Sequence, residues 1–198
     1  MEIYFVVPFA IYRSPFTVYF MFVFDRITSD KHPHWQFMVD CYTEAFPPDE
    51  RRPLADLKRL LTRNDYFCNA LLTDGEPVGL FYAWNLDGFR YIEHFAIAKA
   101  LRGQHIGETI LCSYLAQSTL PVVLEVEPPV TGINCRRIRF YGKAGFELCS
   151  QPFIQPPYAP GQNRVELRLM EWGGELLKQN FERVKNELYR TVYGCDTI

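Results

Sequence analysis

The spacing of apolar residues predicts that short helices and strands alternate along most of the chain. Helical spacing recurs in four internal segments, and alternating or β-branched runs bounded by turn residues mark seven strands. The predicted helices cover residues 34–46, 54–63, 107–117 and 134–144. The predicted strands cover residues 21–28, 66–73, 78–85, 89–98, 121–127, 146–153 and 164–171. This order of elements is typical of one mixed α/β or α+β domain.

The first 24 residues differ from the rest because they hold nine aromatic residues and only two charged ones, Glu2 and Arg13. A signal peptide needs a positively charged start and a small-residue cleavage site, and this stretch has neither. Prolines and the arginine break it into pieces of strand length, which argues against a spanning helix. Two interpretations stay open: a strand-like extension, or a stretch upstream of a natural start at Met21. We favour a natural start at Met21, because the stretch would otherwise expose much apolar surface. Membrane attachment through this stretch is a further alternative.

A last helix is predicted over residues 174–192. Its apolar stripe consists of Leu177, Phe181, Val184 and Leu188. We expect this stripe to pack against the sheet of its own domain, and a homodimer contact is the alternative. The expected divisions of the chain are an extension at 1–20, a main domain at 21–171 and a C-terminal helix at 172–198 packed on that domain.

Composition narrows the functional classes. The 198 residues include 21 Lys and Arg against 23 Asp and Glu, a net charge of −2, which argues against a general nucleic-acid binder. The six cysteines form no C-x-x-C pair and show no zinc-ligand spacing with the four histidines. We therefore expect no metal, and we expect reduced thiols in a cytoplasmic protein.

A strand, a glycine-bearing loop and a helix meet within residues 91–107. The strand ends near Ala98, the loop holds Arg102 and Gly103, and the helix begins at about Gly107. A helix N-terminus presents unpaired N–H groups and a partial positive charge, which suit a pyrophosphate. The segment matches neither the P-loop nor the dinucleotide-binding pattern. Taken by itself, it fits an ordinary tight turn equally well.

A second stretch of the sequence favours a phosphate-binding loop over an ordinary turn. It places Asn134, Tyr141, Gly145 and Phe146 at fixed offsets along a helix. Together the two stretches resemble the GNAT superfamily of N-acetyltransferases, whose acyl-CoA loop is Arg/Gln-x-x-Gly-x-Gly/Ala. The later helix of that family is Asn-x-x-Ala-x-x-x-Tyr-x-x-x-Gly-Phe. The resemblance covers about residues 21–171.

Two positions depart from the family pattern. The loop is Arg102-Gly-Gln-His105-Ile-Gly107, so a histidine stands where the family usually has glycine. That side chain would either crowd the expected pyrophosphate or, when protonated, pair with it. Arg137 replaces the common small residue of the later helix. The flanking Arg102 and Gly107 agree with the pattern.

The resemblance implies a twisted, mostly antiparallel sheet with flanking helices and a V-shaped opening between strands 89–98 and 121–127. Acetyl-CoA would lie in this opening as co-substrate, with its pantetheine bonded to main-chain groups and its pyrophosphate on the loop N–H groups. A main-chain N–H near Ile97 would polarise the thioester carbonyl. The implied cofactor-binding residues are Phe95, Ala96, Ile97, Arg102, Gly103, Gln104, His105, Ile106, Gly107 and Asn134.

The resemblance also implies two catalytic side chains. Tyr141 matches the family tyrosine that often protonates the departing thiolate, and a phenol with a pKa of about 10 is a proton donor at pH 7. Glu93 matches a frequent family acid and is the predicted base, with Glu125 and Glu127 on the facing strand as competitors. His94 should point to the opposite face of the sheet, in a structural position.

The function implied by the resemblance is acetyl-CoA-dependent transfer of an acetyl group to a primary amine, by direct attack in a ternary complex. The alternative is a degenerate GNAT module that binds acyl-CoA as a sensor or scaffold, an alternative that the histidine departure favours. The acceptor stays open between a small molecule, an amino acid and a peptide N-terminus. We expect its pocket to be walled by loops 46–53 and 152–164, through Arg51, Arg52, Phe153 and Tyr158.

Overall fold

The computed structural model describes the backbone of residues 7–13 and 16–195 and the side chains of residues 22–195. Its strands are β1 (Val7–Arg13), β2 (Phe16–Arg26), β3 (Tyr66–Thr73), β4 (Glu76–Leu86), β5 (Phe89–Ile97), β6 (Val122–Val126), β7 (Glu147–Gln155) and β8 (Val165–Trp172). Its helices are α1 (Trp35–Ala45), α2 (Leu54–Leu60), α3 (Ile106–Ala116), α4 (Gly132–Lys143) and α5 (Leu176–Glu187). Shorter pieces are the 3₁₀ turns Pro48–Glu50 and Lys99–Leu101 and the π-helical turn Leu188–Tyr193. Parts of the predicted extension and C-terminal segment, residues 1–6, 14–15 and 196–198, lie outside this description.

One sheet contains the eight described strands, in the order β1-β2-β3-β4-β5-β6-β8-β7. All neighbours run antiparallel except β5 and β6, which run parallel. Parallel neighbours need a long crossover connection, and the segment containing α3 supplies it. The predicted mixed, mostly antiparallel sheet with flanking helices is confirmed.

Most predicted elements agree with the structure to within about three residues. The first predicted strand is wrong at its start, because β2 begins at Phe16 rather than at Met21. The early part of β2 pairs with β1, in a register that places Phe16 opposite Arg13 and Phe22 opposite Val7. Met21 therefore lies inside a continuous strand.

The sheet carries an apolar core on each face. Helices α1, α2 and α5 cover what we call the first face, where Tyr82 and Trp84 of β4 are fully buried. Helices α3 and α4 cover the second face, where Phe81 and Ala83 of the same strand are buried. This alternation follows the two-residue period of a strand. Burying each large apolar side chain contributes about 1.5–3 kcal/mol to stability.

The C-terminal helix packs on the first face, as predicted. The apolar stripe of α5 and the following turn is buried in the core, with Leu177, Phe181, Val184 and Leu188 all at most 5% exposed. The stripe is therefore covered within the chain rather than presented to a second copy. Glu171 at the end of β8 caps the helix, because its carboxylate accepts hydrogen bonds from two N–H groups of the first turn at 2.6 and 2.7 Å.

Candidate active site

The sheet opens where its two parallel strands meet. Residues Arg90–Ile92 of β5 pair with residues Val122–Leu124 of β6, and the pairing of the two strands ends there. A cavity of about 520 Å³ lies beyond the last pair, as the predicted V-shaped opening requires. Its lining includes Glu93, His94, Phe95, Ala96 and Ile97 of β5, Glu125 and Val126 of β6 with Glu127 after it, and Phe140 and Tyr141 of α4. The cavity thus has walls from both faces of the sheet.

A β-bulge in β5 sets the direction of two cavity residues. The register with β4 shifts between Tyr82 and Ala83, which leaves Glu93 as an extra residue between Ile92 and His94. Glu93 and His94 consequently both point to the first face. The prediction that His94 points to the opposite face is wrong, because strict alternation ends at a bulge.

Glu93 is enclosed by hydrogen-bond donors. Its carboxylate accepts bonds from Arg52 at 2.8 Å, from Trp84 Nε1 at 2.9 Å and from the Tyr158 hydroxyl at 3.0 Å. Burial acts to raise the pKa of Glu93, but the Arg52 charge, together with His94 and these donors, holds it below the ordinary value. A carboxylate with a lowered pKa and occupied oxygens binds a proton weakly. The base role of Glu93 stays a prediction, and these surroundings do not favour it.

Glu125 has the opposite environment. Its two oxygens lie 2.8 and 2.9 Å from the hydroxyl of Tyr193, and no cation pairs with it among the described residues. Burial raises the pKa of Glu125 to about 8; hydrogen bonds from Tyr193 and Tyr91 oppose this, and the charges of Glu93 and Glu50 add to it. Such a group exchanges protons near neutral pH. The other predicted competitor, Glu127, forms an ion pair with Arg137.

His94 is a neutral residue of the cavity wall. Its Nε2 lies 2.8 Å from the backbone carbonyl of Glu50, so this nitrogen carries the proton and donates it. The ring packs edge-on against Tyr42 and Phe46. Burial lowers the pKa of His94, partly offset by the charge of Glu93. These contacts agree with the structural position predicted for this residue.

Tyr141 lies on α4 with its ring at the cavity. The side chain packs edge-on against Phe140 and Phe146 and is 8% exposed. Its hydroxyl has no hydrogen-bond partner within the described part of the chain. Burial raises the pKa of Tyr141 to about 12, against the opposing charge of Arg137. The phenol therefore keeps its proton at neutral pH and has that proton available to donate.

The loop before α3 forms the other end of the cavity. Five of the residues predicted to bind the cofactor line it: Arg102, Gly103, His105, Ile106 and Gly107. The Arg102 guanidinium donates to the Ile97 carbonyl at 2.9 Å, which ties the loop to the end of β5. A Cβ on Gly107 would lie 3.3 Å from Ile97 Cγ1 and within 4 Å of two aromatic rings, so glycine leaves room for the close approach of the helix.

The loop histidine adopts an unusual backbone conformation. His105 has φ = 60° and ψ = 5°, the left-handed region that glycine occupies at no steric cost. This explains why the family pattern has glycine at the position. The imidazole is 77% exposed, and its Nδ1 lies 3.1 Å from the Glu108 carboxylate. It therefore extends towards solvent, on the side of the helix that carries Glu108.

Two predicted cofactor residues lie outside the cavity lining. Gln104 is exposed at the tip of the loop. The Asn134 amide donates to the carbonyl of Pro128 at 3.0 Å, and its backbone N–H donates to the Thr131 side chain. Asn134 thus ties the start of α4 to the segment that leaves β6. This contact positions the helix that carries Tyr141.

The predicted walls of the acceptor pocket are partly wrong. Of the four residues expected there, Tyr158 lines the cavity, whereas Arg52 lies behind Glu93 and Phe153 is fully buried in the core. Arg51 is not part of the lining either. Both predicted loops do contribute to this side of the lining, through Phe46 and Glu50 of loop 46–53 and through Gln155 and Tyr158 of loop 152–164. Tyr193 was missed because no local pattern connects it to a strand 68 positions away.

Among the residues that the structure describes, no group of three or more His, Cys, Asp or Glu side chains has the arrangement of a metal site. None of the helices described is long and apolar enough to cross a membrane.

Comparison with known proteins agrees with this architecture. The family model for the acetyltransferase (GNAT) family matches residues 33–146. A solved structure of a GNAT-family protein from Bacteroides thetaiotaomicron is 35% identical, with a TM-score of 0.82, and the match covers 86% of this chain and 98% of that one. No curated protein matches the chain in sequence.

Two more distant structures share the fold alone. A spermidine N-acetyltransferase chimera from Vibrio cholerae has a TM-score of 0.58 at 13% identity, covering 76% of this chain and 94% of that one. An acetyltransferase from Bacillus subtilis in complex with CoA has a TM-score of 0.51 at 11% identity, covering 70% and 92%. The mixed sheet with its opening between parallel strands defines the GNAT fold. The chain belongs to the acetyltransferase (GNAT) family, whose members transfer acetyl groups to amines.

Proposed function

We propose that this protein is an acetyl-CoA-dependent N-acetyltransferase that acts on a primary amine by direct attack in a ternary complex. The observation that carries the proposal is the placement of two proton-transfer groups at one cavity. Tyr141, a proton donor, comes from the second face, and Glu125, a proton acceptor near neutral pH, points to the first face. An acetyl group held between β5 and β6 would have Tyr141 on one side and Glu125 on the other.

The donor end of the cavity fits acetyl-CoA. The N-terminus of α3 offers unpaired N–H groups for a pyrophosphate, and Gly107 keeps the space beside Ile97 and Phe95 open. The end of β5 faces β6 without pairing, so main-chain groups of residues 95–97 are placed to bond an extended pantetheine. A backbone N–H in this stretch would stabilise the oxyanion of the tetrahedral intermediate.

The acceptor end of the cavity fits an ammonium group. Glu50 and Glu125 form no salt bridge among the described residues, and the rings of Phe46 and Tyr158 line the same cavity. A bound ammonium group favours the ionised form of such carboxyl groups, and aromatic faces add cation–π attraction. A small molecule, an amino acid or a peptide N-terminus could each present such a group.

The bound ammonium first gives one proton to Glu125, which releases it to solvent. The amine then attacks the thioester carbonyl, which forms the C–N bond and the oxyanion. As the carbonyl forms again, the C–S bond breaks and Tyr141 donates its proton to the departing thiolate. The nitrogen loses its second proton, which returns through solvent to the tyrosinate. The products are the amide, CoA thiol and one released proton.

The test is an initial-velocity study with acetyl-CoA and a panel of primary amines, in which the release of CoA thiol is measured. A ternary complex predicts intersecting double-reciprocal lines, whereas a covalent acetyl-enzyme predicts parallel ones. Calorimetry with CoA runs alongside, because CoA binding without turnover of any amine would support the sensor alternative. Absence of both binding and turnover would reject the cofactor assignment as well.

A further inference from the structure

The turn that follows α5 lies behind the acceptor side of the cavity and contacts a residue of its lining, Glu125. After α5, the π-helical turn carries Tyr193 to Glu125, with its hydroxyl 2.8 and 2.9 Å from the two carboxylate oxygens. The hydroxyl of Tyr91 lies 3.4 Å from that of Tyr193. Each phenol donates a single hydrogen bond, so Tyr193 and Tyr91 together leave lone pairs available on the Glu125 carboxylate, which lines the cavity.

The same turn also reaches the surroundings of Glu93. The backbone carbonyl of Val192 accepts a hydrogen bond from Arg52, whose guanidinium pairs with Glu93. Tyr158 donates to Glu93, and its ring lies 5.1 Å from that of Tyr193. Two consecutive residues of the turn therefore contact the groups that hold the two buried carboxylates of the site.

Packing holds this turn in place. Leu188, Tyr189 and Val192 are each at most 5% exposed, within the core of the first face. The hydroxyl of Tyr189 donates to the carbonyl of Ile154 at 2.9 Å, which anchors the turn to β7. Tyr193 is thus presented from a fixed backbone rather than from a loose end.

Charged and titratable groups surround Glu125 from several elements. The negative charges of Glu93 and Glu50 disfavour its ionised form, whereas the donors Tyr193 and Tyr91 favour it. Arg52, a positively charged residue on the first face, is paired with Glu93. The groups around Glu125 are Glu50, Arg52, Tyr91, Glu93, His94, the ion pair of Glu127 with Arg137, Tyr158, Tyr189 and Tyr193.

We propose that Tyr193 is a positioning residue, which orients the Glu125 carboxylate and favours its ionised form so that it takes the proton of the acceptor amine. This makes the C-terminal turn a part of the active site. The inference rests on the proposed function, because it assigns a role within the same reaction.

The experiment is the pH profile of kcat/KM for the full-length protein and Tyr193→Phe. Phenylalanine keeps the ring stacking and removes the donor, so the ionised form of Glu125 is less favoured. The acidic limb of the profile should move to higher pH by ~0.5–1 unit, the size expected for one lost hydrogen bond. Replacing Tyr193 with 3-fluorotyrosine, a more acidic donor of nearly the same size, should move the limb to lower pH.

The control is Tyr114→Phe, which removes a tyrosine hydroxyl on the second face, outside the cavity lining, and leaves the C-terminal turn intact. It should leave the limb in place. An equal shift in the control, or an unmoved limb in both Tyr193 variants, would overturn the proposal. Because 3-fluorotyrosine keeps the packing of Tyr193, the position of its acidic limb tests the proposal even if Tyr193→Phe fails to fold.

A second readout does not depend on turnover. In protein labelled with ¹³C at the glutamate carboxyl carbons, one resonance should titrate near neutral pH, disappear in Glu125→Gln and shift its midpoint in the Tyr193 variants. Turnover by the wild type with an unshifted resonance would reject the positioning role alone. A shifted resonance without turnover of any amine would support the contact and reject the proposed function.

Discussion

At the scale of residues, five glutamates line one cavity but differ in what their oxygens contact. Glu108, at the donor end, lies 3.1 Å from Nδ1 of His105. Glu93 is bound by a guanidinium and two neutral donors, Glu127 pairs with Arg137, and Glu125 and Glu50 have no cationic partner among the described residues. Because all of these residues are glutamates, differences in their proton affinity come from these contacts and from burial. The contrast between Glu93 and Glu125 therefore ranks the candidate bases by physical argument.

Tyr141→Phe tests the proton donor. It keeps the ring and its packing, so the melting temperature and CoA affinity should hardly change. The turnover number should fall by roughly 10²-fold, the size typical of one lost acid–base group. The control is Tyr114→Phe, which removes the hydroxyl of a partly buried tyrosine outside the cavity lining. Full turnover of Tyr141→Phe, with chemistry rate-limiting, would make Tyr141 a packing residue.

His105→Gly tests the backbone strain of the loop. A non-glycine residue in the left-handed conformation costs about 1–2 kcal/mol, which glycine avoids. His105→Ala is the matched comparison, because it removes the imidazole but keeps the Cβ. Glycine should be more stable than alanine by about 1 kcal/mol in chemical denaturation. Equal stabilities would show that the loop carries no such strain.

At the scale of elements, the N-terminus of α3 is the expected phosphate site. Gly107→Trp should place a side chain against Ile97 and Phe95 and remove most of the rise in melting temperature that CoA gives the wild type. Gly142→Trp on α4 is the control, because no atom lies within 4 Å of its Cβ position. Thermal shift and calorimetry with CoA measure both. Normal CoA binding by Gly107→Trp would reject the loop assignment.

Most elements could be predicted from the sequence because periodicity is local. The stripe of Leu177, Phe181 and Val184 and the alternation along β8 depend on neighbouring residues only. The bulge at Glu93 could not be predicted, since no glycine or proline marks it and the register shift depends on how β4 pairs. The opposite-face prediction for His94 was wrong for this reason.

The residues of the candidate site likewise include some that local sequence motifs predict and one contact that they do not. The loop residues Arg102 and Gly107 and the helix residue Tyr141 follow from motifs of fixed spacing, and all three line the cavity. The contact between Tyr193 and Glu125 depends on the path of the whole chain, because α5 must first dock on the first face. Long-range contacts between single polar residues leave no periodic signal.

At the scale of the whole molecule, the buried Glu125 links the site to global stability. Its pKa is raised to about 8 in the folded protein, above the ordinary value of 4.5, so the folded state holds a proton that the unfolded state has lost. The contribution is fully present below pH 4.5 and is lost as the pH rises to 8. Across this window, one such group lowers stability by up to about 1.4 kcal/mol per pH unit.

Urea denaturation of the wild type and of Glu125→Gln between pH 5 and 8 tests this link between Glu125 and stability. His94, whose pKa is lowered in the folded state, gives the opposite slope below pH 6.5, but this term is common to both proteins and cancels in their difference. The wild type should lose more stability than Glu125→Gln as the pH rises through this range. A difference that stays constant with pH would mean that Glu125 does not titrate there, and its assignment as the base would fail with it.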